Sequence, residues 1–456
     1  MAAVDRTMDH LLLRVGRRSL LMVTPAESSL GKAVGYGGLI WRVDEAFHVA
    51  HGFGARLLML RPRHALNPAL FDLTSPTAPT LSPAGVAASA LRIVWWASTP
   101  VRYGAPVAWA GSVLGREIRR LAGLAVLAVP ERSVRRKSIK RVARRLERWG
   151  HAHVEAYARR VRQLWASRLK EAGRRARKAQ RAGRLGALSV TLRQEMERTA
   201  ARLAATMGIS ADSVIVCLHV REAGYRAALG LRQPAAYDER SAQIEDYFPA
   251  IDWLVSKGAI VVRVGDSTMT PVARAGVVDL ATMPARTPEL ELWCVRRCKL
   301  FIVCDSGPNL FGRLFKVPLL ATNVIQFTAC VWAPWDRYVF KHAVDQATAR
   351  RLSLFEMLDE SYLAHAYDQR YGHEDNAPED ILAAVQECWQ LLHGCAVASP
   401  AQEAFEQKLA AVARQWPGRS VNPRTALPVT PGRGRIAASF ADRYFDATGS
   451  LVESRS

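Results

Sequence analysis

Three short polar clusters in this chain carry the residue types that handle phosphate. His219, Arg221 and Glu222 stand at the end of the apolar run Ser213 to Val220. Arg263, Gly265 and Asp266, followed by Ser267 and Thr268, close the run Ala259 to Val264, and Asp305, Ser306 and Gly307 close Leu300 to Cys304. His219 and Arg221 alternate, so on a strand they face one way, and a guanidinium fork suits bidentate contact with a diphosphate. The same two residues also read as an Arg–carboxylate bridge beside a satisfied core histidine. Gly265-Asp266 reads as a tight turn that brings a carboxylate to a ribose or base, or else as an ordinary Asp cap. Ser306-Gly307 opens a helix directly after a strand, where hydroxyl, backbone N–H groups and helix dipole converge on an anion-sized spot. A plain serine N-cap is the alternative there.

The elements behind these clusters alternate regularly. After Ser213–Val220 the pattern predicts a helix over Asp246 to Ser256, a strand over Ala259 to Val264 and a short strand over Val277 to Leu280. It continues with a helix over Pro288 to Cys298, a strand over Leu300 to Cys304, a helix over Pro308 to Lys316 and a strand over Val317 to Ala321. Strands and helices in this order imply an α/β fold with a parallel sheet covered on both faces. In such sheets ligands bind outside the carboxyl ends of the strands, where all three clusters fall. No Gly-x-x-x-x-Gly-Lys-Ser/Thr and no Gly-x-Gly-x-x-Gly follows a strand, which lowers NTPase and dinucleotide readings.

With 456 residues, 49% of them hydrophobic and 23% charged, the chain has material for two lobes and none of the signature of disorder. Its 63 Lys+Arg against 41 Asp+Glu give a net charge of +22. Residues 131 to 184 hold 20 Lys+Arg and 4 Asp+Glu, so this segment alone carries +16. Within it Val142, Leu146, Trp149, Tyr157, Val161 and Leu164 recur at helical spacing with arginines between them. That predicts a long basic amphipathic helix, which is either a solvated cationic face or a surface helix for anionic membrane. Nucleic acid is not the favoured partner, because no recognised binding motif accompanies the charge.

Seven cysteines, several inside apolar runs, fit a reducing compartment, so a cytoplasmic location is expected. Cys294, Cys298 and Cys304 lack the spacing of a tetrahedral metal set, and no metal or other cofactor is expected. The first residues interleave charges with apolar side chains, unlike a cleaved leader, and the charge-free stretch Leu73 to Leu91 carries Pro76, Pro79 and Pro83. Membrane contact would therefore be peripheral. Residues Ala55 to Leu60 predict a strand in a first α/β lobe, and Thr74 to Pro83 a loop. The expected organisation is an N-terminal α/β lobe over 1–130 on the acceptor side, a basic helical segment over 131–205, a Rossmann-like lobe over 206–395 and a helical tail over 396–456.

The stretches VCLHVREAGY (216–225), VVRVGDSTMTP (261–271), FIVCDSGPNLFGRLFKVPLLATN (301–323), PWDRYVFKH (334–342) and LSLFEML (352–358) together resemble a family of bacterial glycosyltransferases. His219-Val220-Arg221 after a strand also looks like the GDP-fucose fucosyltransferases, and Asp305-Ser306-Gly307-Pro308 like the sugar-nucleotide motif of heptosyltransferases, both of GT-B fold. The resemblance covers about residues 210–360. It implies a GT-B-like enzyme of two Rossmann-like lobes with parallel sheets, whose C-terminal lobe holds a nucleotide-diphosphate sugar without metal. It implies Arg221 on the diphosphate with Ser306 and Gly307 near it, Tyr225, Arg263, Gly265, Asp266 and Asp305 around the nucleotide sugar, and Lys341 as a second cation. Glu222 or His219 would serve as the base for the acceptor hydroxyl. Two departures stand out: residues 234–240 read Pro-Ala-Ala-Tyr-Asp-Glu-Arg where the family has Arg-Asn-Ala-Asp, and Leu310 stands where the heptosyltransferase motif continues to a histidine.

The expected function is thus transfer of a sugar to a cell-envelope glycan or lipid-linked acceptor in polysaccharide biosynthesis, at the inner membrane surface. The alternatives are a non-catalytic protein that binds membrane or nucleic acid through residues 131–184, and a pyruvyl or phosphoryl transferase on the same fold.

Overall fold

A computed structural model describes residues 192–224, 239–326, 333–366, 369–395, 399–415 and 434–445, five short strands ahead of them and the helical positions 175 and 178. The basic amphipathic segment expected over 131–184 therefore lies, apart from those two positions, outside the described residues, as does Tyr225.

The early strands β1 (Leu11–Arg14), β2 (Ser19–Val23), β3 (Arg56–Leu60), β4 (Thr80–Leu81) and β5 (Pro100–Arg102) form one sheet in the order β4-β3-β2-β1-β5. β3 falls where the apolar run Ala55 to Leu60 predicts it. β4 interrupts the expected loop over Thr74 to Pro83. The sheet is mixed, because β1 runs antiparallel to both β2 and β5 while β2, β3 and β4 are parallel. A purely parallel first lobe is thereby corrected: the four residues between β1 and β2 suffice for a hairpin, whereas a parallel crossover needs a dozen or more.

The larger sheet is built from β6 (Val214–His219), β7 (Ala259–Arg263), β8 (Val277–Val278), β9 (Leu300–Cys304), β10 (Leu319–Val324), β11 (Arg337–Phe340) and β15 (Arg435–Ile436). Its order is β15-β11-β10-β9-β6-β7-β8, with every pair parallel. From β6 the chain winds outward through β7 and β8, then returns across β6 to β9 and winds the other way. The winding reverses between β6 and β9. All five residues of β9 are buried, which is why its sequence, Leu-Phe-Ile-Val-Cys, is apolar without alternation.

Helices α1 (Gln194–Thr206), α2 (Phe248–Ser256), α3 (Pro288–Arg297), α4 (Asn309–Phe315), α5 (Glu360–His365), α6 (Pro378–Leu392), α7 (Pro400–Gln415) and α8 (Ala438–Tyr444) accompany it. α3 starts as its sequence dictates, with Thr287 accepting from Leu290 N–H at 3.2 Å and Pro288 in the first turn, where no donor is lost. The described part of the expected helical tail over 396–456 is integral to this sheet. It supplies the edge strand β15, and Phe405 and Phe440 are buried in the same core as Tyr338 and Phe340. At the other end Ala200, Ala204 and Ile209 belong to that core as well, so it extends across both expected boundaries.

A small antiparallel sheet, β13 (Arg350–Arg351), β12 (His342–Asp345) and β14 (Tyr371–Glu374), follows β11. Two asparagines bind it to the main sheet. Asn323 N–H donates to Asn376 Oδ1 at 2.6 Å, and Asn376 N–H returns a bond to Asn323 Oδ1 at 2.8 Å. Asn323 sits at a φ of 55°, where the β10–β11 register shifts, a left-handed conformation that asparagine tolerates better than most residues.

Candidate functional site at the carboxyl edge of the sheet

β6 ends on His219 and β9 is followed by Asp305 and Ser306, so the strand order sets these residues on either side of the reversal in winding. His219 is 5% exposed and Ser306 7%. His219 Nδ1 lies 3.1 Å from the Val264 carbonyl, which can only accept, so Nδ1 carries the ring hydrogen. Nε2 lies 3.2 Å from Ser306 Oγ. Burial, the largest influence, pulls the imidazole down to about 4 against a bond to Val264 and the charge of Asp266 that raise it, while Arg221 and Arg263 add to the lowering. The ring is neutral at pH 7, its Nε2 carries a lone pair, and the Ser306 hydroxyl donates to it.

Ser306 is not the cap of its helix. α4 begins at Asn309 after Pro308, without a side-chain cap, and the hydroxyl is turned to His219 instead. The plain serine N-cap given as the alternative does not form, and the hydroxyl makes a serine–histidine contact instead.

The cluster after β7 is a network centred on Arg263. Arg263, 1% exposed, donates through Nη2 to Glu222 at 2.5 Å and through Nη1 to both oxygens of Asp279 at 3.3 and 3.2 Å and to the Thr270 carbonyl at 2.6 Å. The second oxygen of Glu222 accepts from Thr270 N–H at 2.8 Å and its hydroxyl at 2.9 Å. With both oxygens engaged, Glu222 holds the loop after β7 rather than standing free as a base. Asp266 folds that loop by accepting from Thr268 N–H at 3.0 Å. Gly265 lies so close to Met269 that a Cβ there would stand 2.3 Å from its sulfur. A Cβ at Gly224 would likewise stand 2.7 Å from the Thr268 hydroxyl oxygen. Gly224 thus lets the loop after β6 lie close against Thr268 in the loop after β7.

Four consecutive residues, 239 to 242, cross the carboxyl edge and touch groups just past several of its strands. Ala242 N–H donates to the Arg221 carbonyl at 3.0 Å after β6. The Arg240 guanidinium donates to the Asp305 carbonyl at 3.0 and 2.6 Å and to its carboxylate at 3.1 Å after β9. The Ser241 carbonyl accepts from Lys341 Nζ at 2.9 Å after β11, and Lys341 also pairs with Asp375. Glu239 Oε2 meets His373 Nδ1 at 2.5 Å on β14, and Tyr362 lies 3.1 Å from His373 Nε2 while donating to the Ile325 carbonyl at 2.6 Å. The His373 side chain is fully covered, whereas Glu239 is about one-third exposed.

Of the residues singled out by sequence, Arg221, Asp266 and Arg263 act electrostatically on His219, and Ser306 joins them through His219. Asp305 is held by Arg240, and Lys341 by Ser241 and Asp375, further along the edge. Glu239 and Arg240 fall in the stretch 234–240, which stands out in the sequence only as a departure from the family pattern, and His373 lies in none of the motifs. Glu291 is silent in the sequence too. It looks like a first-turn helix acid, yet it is buried beneath Gly265, accepts that residue's N–H and one bond from Arg286 at 3.4 Å, and is pushed up to about 7 by burial.

The Cys294 thiol is pushed up to about 12 by burial, and among the described residues no group of three His, Cys, Asp or Glu is arranged to hold a metal ion. None of the described helices is long and apolar enough to cross a membrane.

No family model matches the chain, and no curated protein matches it. Among solved structures, the crystal structure of the glycosyl transferase family 9 protein from Veillonella parvula DSM 2008 is similar over 33% of this chain and 42% of its own length, at 17% identity and a TM-score of 0.22. The match thus spans less than half of that protein.

Proposed function

We propose that the chain is a GT-B-type glycosyltransferase that binds a nucleotide-diphosphate sugar at the carboxyl edge between β6 and β9 and moves the sugar to a hydroxyl of a cell-envelope glycan or lipid-linked acceptor. The observation that carries this reading is the reversal of strand winding between β6 and β9, where open α/β sheets bind nucleotides, flanked here by His219, Arg221 and Ser306. The motifs at those strand ends are the ones that resemble bacterial glycosyltransferases.

In this reading Arg221 meets the diphosphate, Ser306 and Gly307 line its floor, and Gly265 and Asp266 face the ribose or base, with Tyr225 beside them. Arg263, Asp305 and Lys341 position the edge through Glu222 with Asp279, Arg240 and Asp375. The base is Glu239, a part-exposed carboxylate oriented by His373, in preference to the fully engaged Glu222. The acceptor oxygen attacks the anomeric carbon and its proton passes to Glu239. The bond from that carbon to the diphosphate breaks, its electrons stay on the diphosphate, and Arg221 meets the charge, so no divalent ion is needed for this step. Residues 131–184 would hold the enzyme on the anionic inner face of the membrane.

The test is release of nucleoside diphosphate from UDP-, GDP- and ADP-sugars with a membrane lipid extract as acceptor, in EDTA. Release from one donor, lost in Glu239→Gln while binding persists, is expected; no release from any donor, with or without added magnesium, contradicts the reading. The +16 of residues 131–184 favours one second reading, a non-catalytic membrane- or nucleic-acid-binding protein, which predicts binding to vesicles or nucleic acid and no nucleotide site.

A further inference from the structure

His219 and Ser306 hold a hydrogen bond of the wrong polarity for an anion. The Val264 carbonyl fixes the ring hydrogen on Nδ1, 3.1 Å away, so Nε2 accepts and the single hydroxyl hydrogen of Ser306 is committed to it at 3.2 Å. What Ser306 then shows a ligand is lone pairs, which repel phosphate oxygens. If the hydroxyl simply turned to the phosphate, Nε2 would be left buried without a partner. If the ring instead gains a proton, Nε2 donates to Ser306 Oγ, the hydroxyl hydrogen is freed for a phosphate oxygen, and every polar atom is satisfied.

We propose that a diphosphate bound between β6 and β9 draws one proton onto His219 Nε2, reversing the His219–Ser306 hydrogen bond so that Ser306 donates to phosphate. This rests on the nucleotide-sugar reading above and adds to it a proton that binds with the ligand. No covalent bond changes: one proton passes from solvent to Nε2, and one hydrogen bond changes direction. The charged groups around the ring account for its state with and without ligand. Asp266, on the loop after β7, favours the imidazolium, whereas Arg221 and Arg263 oppose it, and burial outweighs them all. Of the two opposing guanidiniums Arg221 acts more strongly on the ring, and a diphosphate beside Arg221 offsets that opposition while adding negative charge of its own. His219 is a positioning residue in this scheme, acting on the ligand through Ser306.

The sign follows from linkage. The free ring titrates at about 4 and the ligand-bound ring higher, so affinity rises as pH falls through the bound-state value and levels off near the free one. The measurement is calorimetry with UDP-glucose, GDP-mannose and ADP-glucose, whose phosphates are esterified and do not titrate near neutrality, in buffers of different ionisation enthalpy between about pH 8 and about pH 5.5. Uptake of roughly one proton toward the acid end is expected, with affinity rising by up to about tenfold per pH unit. His219→Gln, whose amide nitrogen donates to Ser306 without titrating, should bind with neither uptake nor pH dependence. Binding by the unmodified protein with no proton uptake and a flat pH profile overturns this proposal alone. No binding of any of the three sugars overturns it together with the nucleotide-sugar reading.

Discussion

His219 and Ser306, 87 residues apart in the chain, meet at 3.2 Å across the point where the parallel sheet reverses its winding. One residue ends β6 and the other follows β9, strands that are neighbours only because the chain crosses back over its own start. The contact joins the ends of the two strands that flank this reversal, and it depends on the strand order being as it is.

Arg221→Ala should weaken binding of the preferred nucleotide sugar by about 1.5 to 3 kcal/mol, the value of a hydrogen bond to a charged group. Because Arg221 is only part-buried, the melting temperature without ligand should stay close to that of the unmodified protein. Titration calorimetry and thermal melts on the same samples separate the two effects.

Arg263→Met should behave in the opposite way. Removing a guanidinium that is 1% exposed strands the Asp279 and Glu222 carboxylates, and breaking such a buried pair costs roughly 3 to 5 kcal/mol. Urea unfolding should show that loss even without ligand; a variant as stable as the parent with reduced nucleotide affinity would make Arg263 a direct ligand contact instead.

Gly265→Ala would place a methyl group 2.3 Å from the Met269 sulfur, and the loop after β7 must shift to admit it. Such overpacking costs about 1 to 3 kcal/mol. The double variant Gly265→Ala/Met269→Ala should recover much of the lost stability, measured by urea unfolding, if the clash and not the backbone conformation is the cause.

Stability should fall as pH rises from about 4.5 to about 7 by a contribution from Glu291. Its carboxyl is raised to about 7 in the fold against 4.5 unfolded, so the native state holds the proton longer and is favoured below that window. Asp336, also raised to about 7, acts in the same direction. Glu291→Gln should lose less stability than the parent between pH 5 and pH 8 in urea titrations, by a few kcal/mol at most. Equal losses in the two proteins would show that Glu291 ionises normally.

Deleting residues 131–184 should release the protein from anionic liposomes in sedimentation assays without altering its response to nucleotide sugars. Retention on liposomes would remove the membrane role from this segment.

Much of the larger sheet was legible because parallel strands are buried on both faces and read as unbroken apolar runs: β9 has the bounds its sequence predicts, and β7 ends one residue early. β15, two residues long with one partner strand, has too little sequence to show a period, which is why residues 396–456 read as a tail. The antiparallel β1–β2 pair was hidden for a related reason, since short strands carry no mark of their direction. At the candidate site, the residue types at each strand end were readable, but their pairings were not. That Glu222 is consumed by Arg263 and Thr270, that Ser306 faces His219 rather than its own helix, and that residues 239 to 242 cross the edge are all long-range contacts that local spacing does not encode.

The most direct measurement is a thermal-shift comparison with UDP, GDP, ADP and their common sugars in EDTA, on the unmodified protein and on Arg221→Ala. A rise in melting temperature with one nucleotide class, surviving EDTA and diminished in Arg221→Ala, is expected for a nucleotide-sugar site between β6 and β9. No rise with any of them, or a rise equal in Arg221→Ala, would contradict it.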